Sequence, residues 1–585
     1  MNPISVHDEP TDRIRKRRSE LHEDKVMRAW LEAQATDTSE QTLDEEINWH
    51  EIERHVLRLQ RQLVNAVEQG NRRTVRHFKW LIRTSHHAKL LAIRHVTQEN
   101  RGRRTAGVDG KTYTTAKQRQ KLRELIDIRK KPLPVRRVYI QKKNGKLRAL
   151  GIPSIHDRVC QAIHKMAMEP EWDIQFESNM YGFRPNRSTW DAISQVFLAL
   201  CKSSSSQWII EGDIRGYFDN VDHEKLLNKL APEDRVFVRR ILKAPIIDPE
   251  DGRIPIAKGT PQGGILSPLL ANIALHGIET GLREAFRKKF GLPKNHSGFN
   301  IVTYADDFII TCKTKEQAEQ FVPVIAEWLA ENVGVELSLE KTRVTHIDDG
   351  FDFLGFNVRK YRGTLLIKPF KDSKLSVLRK VKAILNANKS ATVSTIIRLL
   401  NPVIKGWSNY YSTQVSSRTF SYCDHKITGM LWHWAKRRHP KKNSQWVYQK
   451  YFARSGSKSW VFGKDKQTVV FMSDLRIIRH TKIQGKRSPY RPSDAEYFED
   501  RRMKLTLKRL NDFQKKVVQK TNGKCVLCGC TISAEHFRRW RINGENDISF
   551  NQIIPEQAER IDTHENVFVT HRWCYEQHSA SKNLA

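Results

Sequence analysis

The chain has 585 residues, enough for several domains, and 102 lysines and arginines against 65 aspartates and glutamates give a formal charge of +37. An excess of that size implies phosphate neutralisation and salt-sensitive nucleic-acid binding, and no apolar run approaches the roughly 18–20 residues that cross a bilayer. Residues 1–10 are polar and acidic, without the basic start and apolar core of a signal peptide, so no membrane partner and a cytoplasmic, nucleoid-associated site are expected.

Residues 1–47 are polar and of mixed charge, and are expected to form a poorly ordered extension with a helix over 23–35. Over 48–105 apolar residues (Ile52, Val56, Leu59, Leu63, then Phe78, Leu81, Ile82) recur at helical spacing and predict an amphipathic helical extension. Its cations, Arg72, Arg73, Arg76, Lys79 and Arg83, suit a solvated face as well as an RNA contact. Residues 136–153 read as a hairpin turned by Asn144-Gly145, with cations on both arms placed to grip a triphosphate. Cys160, Cys201, Cys312 and Cys423 stand singly and are expected to be reduced, packed thiols.

Trp208-Ile209-Ile210-Glu211-Gly212-Asp213 is an apolar run ending in an acid. Gly259-Thr260-Pro261-Gln262-Gly263-Gly264 is a glycine-rich loop opening a helix, suited to close approach of backbone to a base pair or phosphates. Tyr304-Ala305-Asp306-Asp307 lies between Ile301-Val302-Thr303 and Phe308-Ile309-Ile310, which predicts two strands joined by a tight turn bearing two acids. Adjacent carboxylates repel, so keeping both ionised calls for divalent cations, and two Mg²⁺ ions about 4 Å apart clamp the attacking and leaving oxygens of an in-line displacement. Asp213 is the candidate third ligand. A lone Asp-Asp in a hairpin is usually a solvated turn; the ordered series of segments argues otherwise.

With these segments in this order the chain resembles the reverse transcriptases encoded by group II introns. Thr105-Ala106-Gly107-Val108-Asp109-Gly110, Tyr181-Gly182-Phe183-Arg184-Pro185-Asn186-Arg187-Ser188, Leu337-Ser338-Leu339-Glu340-Lys341-Thr342 and Phe351-Asp352-Phe353-Leu354-Gly355-Phe356 look like further motifs of that family, which places fingers and palm over 106–360. The resemblance implies that Asp213 and Asp306 hold both Mg²⁺ ions with the help of Asp307, and that Lys142 and Arg148 grip the triphosphate. Gln262 is expected to touch nucleotide or template. Phe218 is expected to stand against the sugar 2′ carbon, where a ribonucleotide would clash. Lys341 lies where polymerases keep a cation that can protonate the pyrophosphate leaving group. Gln141 replaces the family's usual proline. Arg184 and Arg187 either contact template or nucleotide or tie their loop down, and the family's N-terminal extension, here with Arg72 and Arg73, contacts template and intron RNA.

Residues 361–455 resemble the family's thumb, or maturase domain. Lys405, Trp407, Tyr410 and Tyr411, then Lys436, Arg437 and Arg438, interleave aromatics with cations, which suits stacking plus phosphate contact, while the same aromatics would serve equally as helix-bundle core. Residues 456–520 form a basic connector resembling the family's DNA-binding region, although charge runs are usually solvated faces. At the end, Cys525 and Cys528 with His571 and Cys574 have the spacing of a tetrahedral Zn²⁺ site, Cys530 being an alternative to His571. Residues 521–585 resemble an HNH nuclease module. Asn551-Gln552 stands where the family has its His-His pair and Tyr575 where a metal-binding His is usual; neither Asn nor Gln takes a proton from water at neutral pH. A folded zinc module that keeps Asn566 but has lost cleavage is expected, unless His536 or His578 substitutes.

The reading is therefore α+β: a right-hand polymerase core of fingers and palm, a helical thumb, and a small ββα zinc module. Its expected partners are group II intron RNA, an RNA template with DNA primer, dNTPs and target DNA; whether it dimerises is left open. An RNA-binding splicing factor with incidental polymerase, a domesticated reverse transcriptase outside an intron, and an HNH endonuclease are the alternatives.

Overall fold

The computed structural model describes residues 47–141, 145, 147–293, 299–456, 458–464, 467–508, 510, 512–529, 532, 548–552, 567–572 and 574–575. The helix expected over 23–35 lies outside them. The chain divides into two compact units, one covering 51–501 and another taking in 502–540 and 546–585.

The larger unit is organised by a four-stranded antiparallel sheet in the order β6–β7–β3–β8, with β3 Trp208–Asp213, β6 Asn300–Tyr304, β7 Asp307–Cys312 and β8 Arg343–His346. Strand alternation sends Ile210, Ile301, Phe308 and Ile310 into one core with the helices Ile155–Gln175, Ser267–Leu275 and Lys315–Asn332. It sends Ile209, Val302 and Ile309 into a second core that continues through the thumb. Both sheet faces are thus covered, which leaves only the strand ends for ionised groups, since a charge beneath either layer of helices would lose its hydration. Gly212 is required by this packing, because a Cβ there would meet the Phe308 ring at 2.1 Å.

A second four-stranded sheet forms the fingers. β1 (Val135–Gln141) pairs antiparallel with β2 (Leu147–Ile152), and β1 runs parallel to β4 (Ile246–Asp248), which pairs with β5 (Gly252–Ile254). The expected hairpin turn carries Gly145 at φ +81°. Two cations of the helical extension are structural: Lys79 is fully buried with its Nζ 2.7 Å from Asp234 Oδ2 and also paired with Glu171, and Arg83 pairs with Asp234. Burial pushes the Cys160, Cys312 and Cys423 thiols up to about 12, as packed, unreactive thiols require.

The palm ends and the thumb begins in a three-stranded sheet, β9 (Phe351–Phe353), β10 (Phe356–Tyr361) and β11 (Thr364–Pro369), followed by the helices Lys371–Ala387, Val393–Tyr411 and Ser417–Arg438. The tight turn between β9 and β10 holds Leu354 at φ +49° and Gly355 at φ +81°. Tyr410 and Tyr411 donate their hydroxyls to the carbonyls of Leu354 (2.7 Å) and Gly355 (3.0 Å), fastening the second thumb helix to that turn. β12 (Phe452–Ser455), β13 (Lys458–Lys464) and β14 (Gln467–Thr468) lay Phe452 and Phe462 into the same core, so this sheet runs across the expected division at 455/456.

Beyond it, 475–494 forms a strap held by buried charge. Asp191 accepts from Ile483 N at 2.9 Å, with His480 Nε2 3.1 Å away. Asp173 accepts from Ser488 Oγ (2.5 Å) and from Arg184 Nε (2.8 Å), and Arg187 donates to the carbonyls of Gly485 and Arg487. Arg184 also donates to the carbonyls of Glu177 and Met180, so both arginines of the 181–188 loop tie it down. Several cations of the connector, among them Arg479, Arg487 and Arg501, likewise bond within the protein, to Gln414, Asp494 and Thr481. Arg479 stays exposed even so, and the Arg487 side chain is 38% exposed, so these bonds do not remove them from the surface. Removing one partner of a buried pair leaves the other charge uncompensated; Arg184→Ala, whose side chain and that of Asp173 are each 1% exposed, is expected to cost about 3–5 kcal/mol, read as a lowered urea midpoint and faster proteolysis within 475–494.

In the smaller unit the helix Asp512–Lys520 and the antiparallel pair β15 (Ile548–Gln552) and β16 (Val567–His571) gather a compact core of Val517, Val518, Val567 and Val569.

Candidate active site and metal centre

Three acids meet at one end of the central sheet. Asp213 closes β3 directly opposite Asp307, which opens β7, and Tyr304 pairs with Asp307 across a two-residue turn made of Ala305 and Asp306. That turn needs Ala305 at φ +57°, a left-handed conformation uncommon outside glycine and held here by its surroundings. The 181–188 loop presses on it: a Cβ on Gly182 would stand 2.3 Å from Ala305 N. The turn is therefore rigid, and its two carboxylates are brought beside Asp213 by strand register alone. Burial raises the pKa of Asp306, with repulsion from Asp213 adding to it, and burial followed by repulsion from Asp306 and Asp213 raises Asp307 to about 6. A site in which acids resist ionisation when alone is one that cations complete, so the residues fit divalent metal ions.

Lys341 reaches the same point. Leu337 bridges Ile214, Ser338 N donates to Asp213 O (2.8 Å), and Lys341 Nζ lies 2.8 Å from Asp213 Oδ1. On the fingers side Arg148 Nε donates to Gln262 Oε1 at 2.6 Å, joining two of the expected nucleotide contacts. The glycine-rich loop is packed tightly against protein: a Cβ on Gly263 would come 2.5 Å from Gly151 O, and one on Gly259 2.5 Å from Asp219 O. Its glycines are needed for contacts within the protein, whatever else approaches. Phe218 is half-buried at the edge of the palm core, its carbonyl accepting Thr260 N–H at 2.6 Å. Lys142 lies outside the described residues.

The thumb candidates separate by environment. Trp407 donates Nε1 to Ser373 Oγ (3.1 Å), Tyr410 stacks on Phe356 with centroids 5.3 Å apart, and Tyr411 is buried. These three aromatics pack the thumb helix against its β-turn, the helix-bundle role the sequence left open beside stacking, with Trp407 and Tyr410 still half-buried. Lys405 beside them is half-buried. Arg438 lies over Trp434 at 4.6 Å and donates to Ala391 O (2.5 Å), so it too serves the bundle. Lys436 and Arg437 remain exposed, as do Arg72 and Arg73 on the helix Arg72–Thr84. That helix also exposes Arg76, His77 and Trp80, the last at 55%. Trp80 escaped the sequence reading, though its place four residues after Arg76 on a basic helix was the available signal.

In the smaller unit one ligand atom from each of Cys525, Cys528, His571 and Cys574 lies within 4.8 Å of every other. His571 Nδ1 is 3.3 Å from Cys528 Sγ and 3.7 Å from Cys574 Sγ, near the separations of about 3.5–3.8 Å that a tetrahedron of Zn–S and Zn–N bonds requires. Burial opposes protonation of His571, yet the sulfurs of Cys525 and Cys528 outweigh it and raise the imidazole to about 10, so a positive charge is wanted at the centre of the group. The donor set fits zinc. β15 carries Asn551 and Gln552 opposite Phe568 and Val567; Cys530, His536, Asn566 and His578 lie outside the described residues.

Three family models match in succession: the N-terminal domain of reverse transcriptase over 45–126, reverse transcriptase (RNA-dependent DNA polymerase) over 140–358, and the group II intron maturase-specific domain over 374–452. Protein YkfC of Escherichia coli is 37% identical over 302 residues, covering 46% of this chain and 79% of that protein. Group II intron-encoded protein LtrA of Lactococcus lactis subsp. cremoris is 28% identical over 413 residues, covering 55% and 68%. Maturase-like protein 1 of Euglena gracilis is 26% identical over 386 residues, covering 64% and 78%. No helix among the described residues is long and apolar enough to cross a membrane. Across palm and thumb, the chain belongs to the reverse transcriptases and maturases of group II introns, RNA-directed DNA polymerases that assist splicing.

Proposed function

We propose that Asp213, Asp306 and Asp307 are the metal ligands and that Mg²⁺ is the metal, two ions per site. The observation that carries this is the direct pairing of Asp213 with Asp307 beside a turn bearing Asp306, where burial, with repulsion from the neighbouring acids, raises the cost of ionising Asp306 and Asp307. When bound, the two ions lower the barrier to attack by a primer 3′-hydroxyl on the nucleotide α-phosphate and steady the leaving oxygen. The chain itself then positions and neutralises. Arg148, oriented by Gln262, meets the triphosphate; Lys341 moves from Asp213 toward the pyrophosphate and gives it a proton; Phe218 stands where a 2′-hydroxyl would have to go, which selects dNTPs.

In this reading 48–105 and 361–455 hold RNA on either side of the polymerase. The exposed row of Arg72, Arg73, Arg76 and Trp80 offers three phosphate contacts and one stacking face, and Lys436 and Arg437 offer two more contacts at the thumb. The smaller unit is a zinc-stabilised module that contacts target DNA without cutting it, because Asn551 and Gln552 supply no general base; in a bacterial-type cell that contact would place the protein at the nucleoid. The test is extension of a DNA primer on an RNA template with Mg²⁺ and dNTPs, run with a binding titration of intron RNA across salt. Each phosphate contact contributes about 0.7 to the slope of log K against log salt for single-stranded RNA, so Arg72→Ala, Arg73→Ala and Arg76→Ala together are expected to flatten it by about 2. An unchanged slope would remove this helix from the interface.

A further inference from the structure

We propose that Phe183 is a positioning residue that braces the ring of Phe218 and so sharpens the choice of deoxyribonucleotides over ribonucleotides. The inference rests on Phe218 being the sugar gate, as proposed above.

Every neighbour of Phe183 is anchored inward. Tyr181 N donates to Thr303 O (3.0 Å), Gly182 O accepts Nδ2 of the buried Asn272 (2.7 Å), and Arg184 is consumed by Asp173 and two carbonyls. Phe183 is turned outward, 43% exposed, at φ +56°. An aromatic residue in that conformation is strained, and strain of this kind persists only where surrounding structure over-determines it. A ring left 43% exposed gains less from burial than its buried neighbours, and it makes one specific contact: its centroid lies 6.1 Å from that of Phe218, the planes at 77°, a favourable edge-to-face arrangement.

Phe218 needs such a contact. Its main chain is clamped from the glycine-rich loop, through Thr260 N and the close approach of Gly259 to the Phe218 carbonyl. Its ring is half-buried and meets Tyr217 on the chain's own side at 5.8 Å. Tyr217 is fixed in turn, buried and donating its hydroxyl to Ala271 O at 2.5 Å. A gate discriminates only if its ring resists being pushed aside by a 2′-hydroxyl, and among the described residues Phe183 supplies the ring contact from outside the helix that carries Phe218. The loop bearing Phe183 also presses on the Ala305 turn through Gly182, so gate and metal-ligand turn are set by one rigid segment.

The experiment measures single-nucleotide incorporation of dGTP and GTP opposite cytosine on an RNA template, as the ratio of their kcat/KM values. Phe218→Ala is expected to lower the ratio by at least about a hundredfold. Phe183→Gly is expected to lower it about three- to tenfold, the worth of one aromatic pair, and Phe183→Tyr to keep it near wild type. Phe183→Gly also relieves the left-handed backbone, so its Tm is expected not to fall, which separates ring from fold. In the Phe218→Ala background Phe183→Gly is expected to add nothing, since the braced ring is gone. If Phe218→Ala lowers the ratio while Phe183→Gly leaves it within twofold of wild type, the brace is wrong and the gate stands. If Phe218→Ala leaves the ratio unchanged, the gate reading fails and takes the brace with it. Equal loss for both nucleotides in Phe183→Gly, with a raised KM for primer–template, would show a direct primer contact and overturn the proposal.

Discussion

Asp306→Asn is expected to reduce RNA-templated primer extension by at least about a thousandfold, roughly 4 kcal/mol of transition-state stabilisation, with no loss of fold. The amide keeps the shape of the turn but removes the charge proposed to hold metal, and Asp213 and Asp307, paired opposite each other, are assigned to the same ions. Stability should move the opposite way, and Asp307→Asn shows this best. Its folded-state pKa, about 6, lies above the usual carboxylate value near 3.9. A carboxyl raised on folding costs nothing at low pH, where it is protonated in both states; the cost grows as pH rises from about 4 through about 6, and is complete above that. In metal-free buffer Asp307→Asn should therefore melt higher than wild type at pH 7.5, the gap closing toward pH 4. Saturating Mg²⁺ should raise the wild-type Tm and shrink the gap, because a cation bound only to the native state stabilises it by mass action. A variant that melts lower than wild type without metal would mean that Asp307 is held by partners other than the cations assigned to it.

The acids were legible because their signal is local. An apolar frame around Ala305-Asp306 can only be a hairpin tip, and both faces of the sheet being buried leaves the strand ends as the place for charge. The C-terminal grouping of Cys525, Cys528, His571 and Cys574 was legible for the same reason, its spacing being a property of turns and short strands. The thumb aromatics were not. Trp407, Tyr410 and Tyr411 lie on a helix next to cations, and helical spacing says which residues share a face, not which face meets a neighbour; the deciding partners, Ser373, Leu354 and Gly355, are 34 to 56 residues away. Lys79 and Arg83 read as part of a basic face until Asp234, about 150 residues further on, is brought beneath them. Phe183 was hidden by its own conformation, since no propensity places an exposed phenylalanine at positive φ. The same long-range pairing that obscured these residues also explains how the thumb and palm come to share one continuous core, which carries the orientation of the Leu354-Gly355 turn back to the sheet that holds the acids.

Chelating zinc from the full-length protein is expected to unfold the smaller unit while the polymerase survives. Among the described residues the apolar core there is small, built around Leu510, Val517, Val518, Ile532, Val567 and Val569 with the buried cysteines, and a core of that size does not outweigh chain entropy without a staple. A structural zinc site supplies about 10–16 kcal/mol at neutral pH, far more than the module's packing. Cys528→Ala, which removes one of four ligands, should have the same effect as a chelator. The expected observations are one zinc per chain in the untreated protein, rapid amide exchange over 512–520 and 567–571 once the metal is removed, and recovery when zinc is returned. Primer extension, with Mg²⁺ restored, should stay within about twofold, because Asp213, Asp306 and Asp307 draw their geometry from the central sheet in the other unit. Retained protection over 567–571 after chelation would mean that the pair β15–β16 stands on its own packing, and that the two cysteine–histidine pairs meet for some purpose other than holding a metal. Loss of both protection and polymerase together would instead tie the acids' geometry to the zinc module, a dependence that the independent cores of the two units do not predict.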